Sequence, residues 1–432
     1  MPSAGGGLNA SLSRSSARRR VVVTGLGAVT PLGLTAPQTF ENALKGQSGI
    51  ANITLFDASK FDVHFAGEVK NFNPEPVISK KDLKKMDRFI QLSLVATNEA
   101  MKDSGLESAL AASEELRDRT GVFIGCGIGG LPGIEETHKI LLERGPSRIS
   151  PFFIPNVIIN LAAGHVSMTY GLKGPNFAMV SACATGCHSI GEATNYIRYG
   201  QCDAMVAGGT EAAISGLGLG GFAAMKALST RNENPEKASR PWDKDRDGFV
   251  LAEGAATLVL EEYEHARKRG ARIYAEIIGY GASSDAYHMT NPAPGGAGAV
   301  RAMQLAIGDA QVSPNDIGYV NAHGTSTSAG DVAETEAIKT AFGLEAARKT
   351  MISSTKSMTG HTLGAAGAIE SVFSILALNR GQLPPTINLD NPSPECDLDY
   401  TAKSAREVRV KYVLNNSFGF GGTNACLLFG KV

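Results

Sequence analysis

No stretch of the 432-residue chain holds the about 20 consecutive apolar residues that a membrane-spanning helix needs, so neither a membrane protein nor a membrane partner is expected. No excess of either charge appears, with 41 Lys and Arg against 42 Asp and Glu. A global basic field for nucleic acid is therefore missing, and an anionic partner must be met by a local patch. Cysteine is sparse and scattered. Cys126, Cys183, Cys187, Cys202, Cys396 and Cys426 form no CxxC pair and no cysteine–histidine cluster at zinc-finger spacing. No metal site is expected, and free thiols in a reducing cytoplasmic compartment are the better reading. A Pro/Ser-rich linker that would separate independent domains is also lacking.

Glycine, by contrast, is plentiful at 50 residues, which suggests tight turns and close backbone approaches around a ligand. The first 20 residues stand apart. Ser, Gly and Ala dominate them, Arg14, Arg18, Arg19 and Arg20 supply the charge, and no acid occurs. They read as a disordered tail or cloning remnant, or else as the remnant of a transit segment, which would move the protein to a mitochondrial or plastid matrix.

From Val21 onward, strand-like and helix-like segments alternate. Apolar residues at helical spacing predict a helix over 88–104, stopped by Gly105. Strands are predicted at 120–125, 177–180, 204–208, 248–260, 273–280, 317–321, 351–354, 408–415 and 425–429. Helices fill the intervals, including 188–198, 299–310, 331–342 and the strongly apolar 364–379. This is an α/β chain with mixed or parallel sheets covered by helices, read as two packed halves, 21–271 and 272–432.

Cys183 lies where an apolar strand runs into a helix. The unpaired N–H groups and positive dipole end of that helix favour thiolate over thiol. A buried structural cysteine is the alternative reading at this segment. Cys187, one turn on, reads as structural. His323 and His361 both sit in Gly/Ser/Thr-rich turns after short apolar runs, where functional loops concentrate. A cysteine with two histidines suits acyl transfer followed by stabilisation of an oxyanion. Glu370 falls among Ala366, Ile369, Val372 and Phe373, so it needs a partner, and Lys356 is the natural one. The glycine-rich stretch from Asn415 to Asn424 lacks the GK[ST] of a nucleotide loop, and its N–H groups could complete an oxyanion hole.

Taken together, SACATG at Cys183, NAHGTST at His323, STKSMTGH at Lys356 and His361, Glu370, and the closing NSFGFGGTN resemble the β-ketoacyl-acyl-carrier-protein synthases, nearest to their type II members. The similarity runs from about Val21 to the end and includes SPFFIPN, LKGPN and VAGGTEA. The resemblance implies a thiolase-type fold, a duplicated α/β unit layered α-β-α-β-α, working as a homodimer. It implies an acyltransferase in fatty-acid elongation that holds no permanent cofactor and takes its substrates from the phosphopantetheine of an acyl carrier protein. Cys183 would accept the acyl chain, and His323 and His361 would assist decarboxylation of a malonyl unit. The N–H groups of Cys183 and Phe420 would form the oxyanion hole. Thr325, Thr327 and Thr290 would hold the pantetheine arm, and Ile128, Phe153 and Phe222 would line the acyl pocket. Lys85, Arg88, Arg148 and Lys226 would meet the acidic carrier protein. A polyketide-type ketosynthase, a degradative thiolase and a non-catalytic chain-length partner are the rival readings. The last lacks the nucleophilic cysteine that is present here.

Overall fold

The computed structural model describes residues 18–432. Most of the expected N-terminal tail, residues 1–17, lies outside the described residues. Arg18, Arg19 and Arg20, assigned to that tail, instead belong to the folded body. Each finds an acid on it: Arg18 pairs with Asp309, Arg19 with Asp203 at 2.6 Å and Arg20 with Glu276 at 2.9 Å.

Ten strands make up the principal sheet. They are β1 (Val21–Val29), β2 (Thr120–Gly125), β3 (Asn176–Phe177), β4 (Ala204–Glu211), β5 (Gly254–Glu262), β6 (Ala275–Ser284), β7 (Ile317–Asn321), β8 (Met351–Ser353), β9 (Tyr412–Gly419) and β10 (Thr423–Gly430). Only two residue pairs, Val22–Glu276 and Val23–Ala275, join β1 to β6 at the middle. Outward from that seam one side runs β1-β5-β4-β2-β3 and the other β6-β10-β9-β7-β8. On each side the two inner pairings are antiparallel and the two outer ones parallel. One connectivity is thus used twice, first strand innermost and third strand at the rim.

Helices α1 (Arg88–Ser104) and α2 (Leu161–Tyr170) cover the outer face of the first five strands. Next comes α3 (Thr185–Arg198). The outer face of the second five carries α4 (Ala297–Ala310) and α5 (Ser328–Phe342). With α6 (Ala366–Arg380), α3 fills the space between the two sheets, giving five layers in the thiolase manner. The duplication extends to packing. A side chain at Gly25 or Gly27 of β1 would strike the carbonyls of Ala100 and Ala96 on α1. One at Gly279 or Gly281 of β6 would strike those of Ala306 and Ala302 on α4. Glycine lets each helix lie directly on its strand.

The α1 prediction matches residue for residue. Phe89, Leu92, Ala96 and Met101 are fully buried, and Gly105 ends the helix at φ +65°. Three predicted strands shift. Residues 178–180 lie outside the sheet, because β3 ends at Phe177, and Val180 is 57 % exposed. Residues 248–253 make isolated bridges to Leu228, His361 and Gly67 instead of a continuous ladder, so β5 starts at Gly254. The strand expected at 408–415 begins at Tyr412, where its pairing with Ile317 starts.

Candidate active site

Both central helices aim their N-termini at one cavity of about 520 Å³. Cys183 occupies a three-residue 3-10 turn, Ala182–Ala184, that feeds α3. Ala182 sits at φ +48°, a left-handed conformation that costs a non-glycine residue roughly 1–3 kcal/mol. The turn is pinned from two sides. The Ser181 N–H donates to Thr185 Oγ1 at 2.8 Å, and Thr423 Oγ1 donates to the Ser181 carbonyl at 2.9 Å. The strain turns the thiol toward the cavity, where Cys183 is 8 % exposed.

The turn-to-helix placement of Cys183 is therefore as expected, but its resting charge is not. Burial pushes the Cys183 thiol up to about 12. The charge of Lys356 and the N–H groups of Phe420 and of Cys183 itself pull the other way and do not win. A helix terminus contributes about 0.3–1 kcal/mol in ordinary surroundings, less than the desolvation of a sulfur anion. At neutral pH burial therefore leaves Cys183 a thiol.

His323 follows β7. Its N–H and that of Gly324 donate to Glu334 on α5 at 2.8 and 2.7 Å, and Asn416 Nδ2 donates to the same carboxylate at 3.2 Å. Among the described residues the buried Nδ1 of His323 has no hydrogen-bond partner. His361 is held by its backbone, donating to Val250 at 2.7 Å and accepting from Ala252 at 3.0 Å. Its Nδ1 accepts the Leu363 N–H at 3.3 Å, so the neutral ring carries its proton on Nε2. The two rings stand 5.5 Å apart, nearly perpendicular at 86°. Burial, and then the Lys356 charge, hold both well below the usual imidazole range. Behind them Lys356 Nζ pairs directly with Glu370, both almost wholly buried.

Ile128, Phe222 and Leu363 line this cavity, as do Thr290, Thr325, Thr327 and Phe420. Thr325 and Thr327 share a hydrogen bond of 3.1 Å. Phe153 does not reach this cavity; it opens a short helix, Phe153–Val157, flanked by the exposed Phe152 and Ile154. The predicted basic patch divides. Lys226 is exposed at the cavity wall and Arg148 is exposed. Lys85 pairs with Asp82 at 2.9 Å. Arg88 offers no free charge, because the buried Glu253 takes its guanidinium at 2.6 and 2.7 Å. Sequence reasoning missed Glu334. Its partners are backbone N–H groups ten and eleven positions earlier and an asparagine 82 positions later, and neither spacing nor residue type marks it.

Comparison with known proteins follows this geometry. A model of the beta-ketoacyl synthase N-terminal domain matches residues 18–266, and one of the C-terminal domain matches residues 274–390. The chain is 54% identical over 415 residues to 3-oxoacyl-[acyl-carrier-protein] synthase 2 of Vibrio harveyi, covering 96% of this chain and 99% of that one. Among solved structures it is similar to a beta-ketoacyl synthase from Burkholderia phymatum, 39% identical with a TM-score of 0.87 over 96% of this chain and 100% of that one. It also resembles a type II polyketide ketosynthase solved in complex with its acyl-carrier protein, 37% identical with a TM-score of 0.88 at the same coverage. With both domain models matched, one across the strained turn of Cys183 and the other across His323 and His361, the chain belongs to the beta-ketoacyl synthase family of condensing acyltransferases.

Proposed function

We propose that this protein elongates fatty acids as a 3-oxoacyl-[acyl-carrier-protein] synthase of type II, condensing a Cys183-bound acyl chain with malonyl carrier protein. The observation that carries the reading is the facing of Cys183 by two neutral imidazoles across one cavity. In the first step the thiol attacks the incoming thioester. A bond forms from Cys183 to the acyl carbon, the bond to pantetheine sulfur breaks, and the Cys183 proton leaves with the pantetheine thiol. In the second, the malonyl carboxylate departs as CO2 and its bonding pair passes into an enolate. His361, with its proton on Nε2, and His323 stabilise the enolate oxygen as neutral donors. The enolate carbon then attacks the acyl carbonyl, whose oxyanion is held by the N–H groups of Cys183 and Phe420. Cys183 leaves as thiolate and regains a proton. Loss of CO2 drives the sequence, so no strong base is needed. Thr325, Thr327 and Thr290 hold the pantetheine arm, Phe420 gates the cavity, and Ile128 and Phe222 meet the acyl chain.

Identity of 54% to the elongating synthase, against 37% to the polyketide enzyme, supports the fatty-acid pathway. An acyl carrier protein docks on Lys226, Arg148 and Lys85, and the enzyme works in the cytoplasm as a homodimer whose halves divide near residue 271. The dimer is supported by the rim strand β3, whose outer edge carries no strand among the described residues, and by the exposed Phe177 and Val180 on and just after it. Incubation of the purified protein with acyl and malonyl carrier proteins yields 3-oxoacyl carrier protein on this reading. Exchange of acetyl-coenzyme A without malonyl substrate contradicts it.

A further inference from the structure

Glu211, the last residue of β4, is fully buried, and among the described residues no cation pairs with it. A carboxylate so placed costs several kcal/mol unless donors surround it. Four do. Oε1 accepts the Cys126 thiol at 2.9 Å and the Ile128 N–H at 3.2 Å. Oε2 accepts the N–H groups of Gly127 at 2.8 Å and Gly364 at 3.1 Å. The first three donors belong to the loop after β2 that presents Ile128 to the cavity. The fourth belongs to the turn after His361, whose Leu363 lines the same cavity and donates to the His361 ring. A side chain at Gly127 or Gly364 would come within 2.6 and 2.9 Å of Oε2, so the carboxylate occupies the whole gap between the loops.

We infer that Glu211 is a positioning residue that ties the acyl-pocket wall at Ile128 to the turn carrying His361, so that the fit of the acyl chain and the setting of the decarboxylating histidine move together. One oxygen serves the wall and the other bridges wall and turn. A displacement of Ile128 by a long chain therefore reaches Gly364 through a single rigid carboxylate. Cys183 lines the same cavity as Ile128 and Leu363, which lie on the two loops that the clamp connects. The Cys126 thiol is the one side-chain donor and the natural place to weaken the clamp without emptying it.

The inference rests on the function proposed above, and the experiment separates the two. Cys183 acylation is followed by mass spectrometry with short-, medium- and long-chain acyl carrier proteins, and decarboxylation of malonyl carrier protein is measured alongside. The wild-type protein, Cys126→Ser, Cys126→Ala and Glu211→Gln are compared, with thermal melts of each. Cys126→Ser keeps a donor and follows the wild type in both assays. Cys126→Ala and Glu211→Gln slow long-chain acylation about tenfold relative to short-chain acylation, and malonyl decarboxylation falls with it. Equal slowing at all chain lengths, no change in Cys126→Ala, or a Cys126→Ser protein that behaves like Cys126→Ala overturns the clamp while leaving the condensing function intact. A wild-type protein that is never acylated overturns the functional reading and the clamp with it.

Discussion

At the scale of residues, the position of Cys183 and its charge come from different sources. The strand-to-helix junction and its small neighbours are local features, legible in the sequence; the ionisation state is set by walls contributed from distant segments. Burial outweighs the helix end and leaves the thiol at about 12. Alkylation of Cys183 by iodoacetamide in the substrate-free protein should therefore rise about tenfold per pH unit from neutral to mildly alkaline conditions, following the thiolate fraction. A plateau near neutral pH would show that the dipole wins after all. The histidines give a second test. Groups held well below the usual imidazole range stay neutral through the pH interval where an ordinary histidine, at about 6.5, protonates. Malonyl decarboxylation in Cys183→Ala should stay level between pH of about 8 and about 6, whereas a loss of half the rate near 6.5 would indicate an imidazolium.

At the scale of elements, the helix α6 was readable both in extent and in the oddity of its one acid. Glu370 among apolar neighbours demanded a cation, and Lys356 supplies it. Removing one member strands a buried charge. Glu370→Ala should lose about 3–5 kcal/mol in urea unfolding, and the double variant Lys356→Met, Glu370→Leu should recover much of that loss. Additive losses would mean that the pair is not a unit. Other elements were illegible for a physical reason. Glu334 serves backbone N–H groups that any sequence possesses, so nothing in composition or spacing points to it. Residues 248–253 have strand-like composition yet bridge Leu228, His361 and Gly67, contacts distant in sequence that composition does not reveal.

At the scale of the whole molecule, the fold is one five-strand connectivity repeated about a narrow seam, with α3 and α6 between the sheets. The alternation of segments pointed to an α/β body. The family resemblance implied that its two halves are duplicates; the strand order that realises the duplication was not legible, because pairing distant in sequence decides it. Surface charges were the least legible feature. Arg88 looked available and is bound by Glu253, while Lys226 is exposed at the cavity wall with no acid paired to it among the described residues. Lys226→Glu should raise KM for carrier-protein substrates about tenfold with kcat little changed, and added salt should shrink the difference from wild type. An unchanged KM would place docking elsewhere.

The division of labour between the sulfur and the two imidazoles is tested most directly by supplying Cys183→Ala with acyl and malonyl carrier proteins together and measuring both CO2 and 3-oxoacyl product. The account predicts continued release of CO2 with no condensation product, because the histidines remain while the acyl carrier is gone. Condensation at the wild-type rate would contradict it.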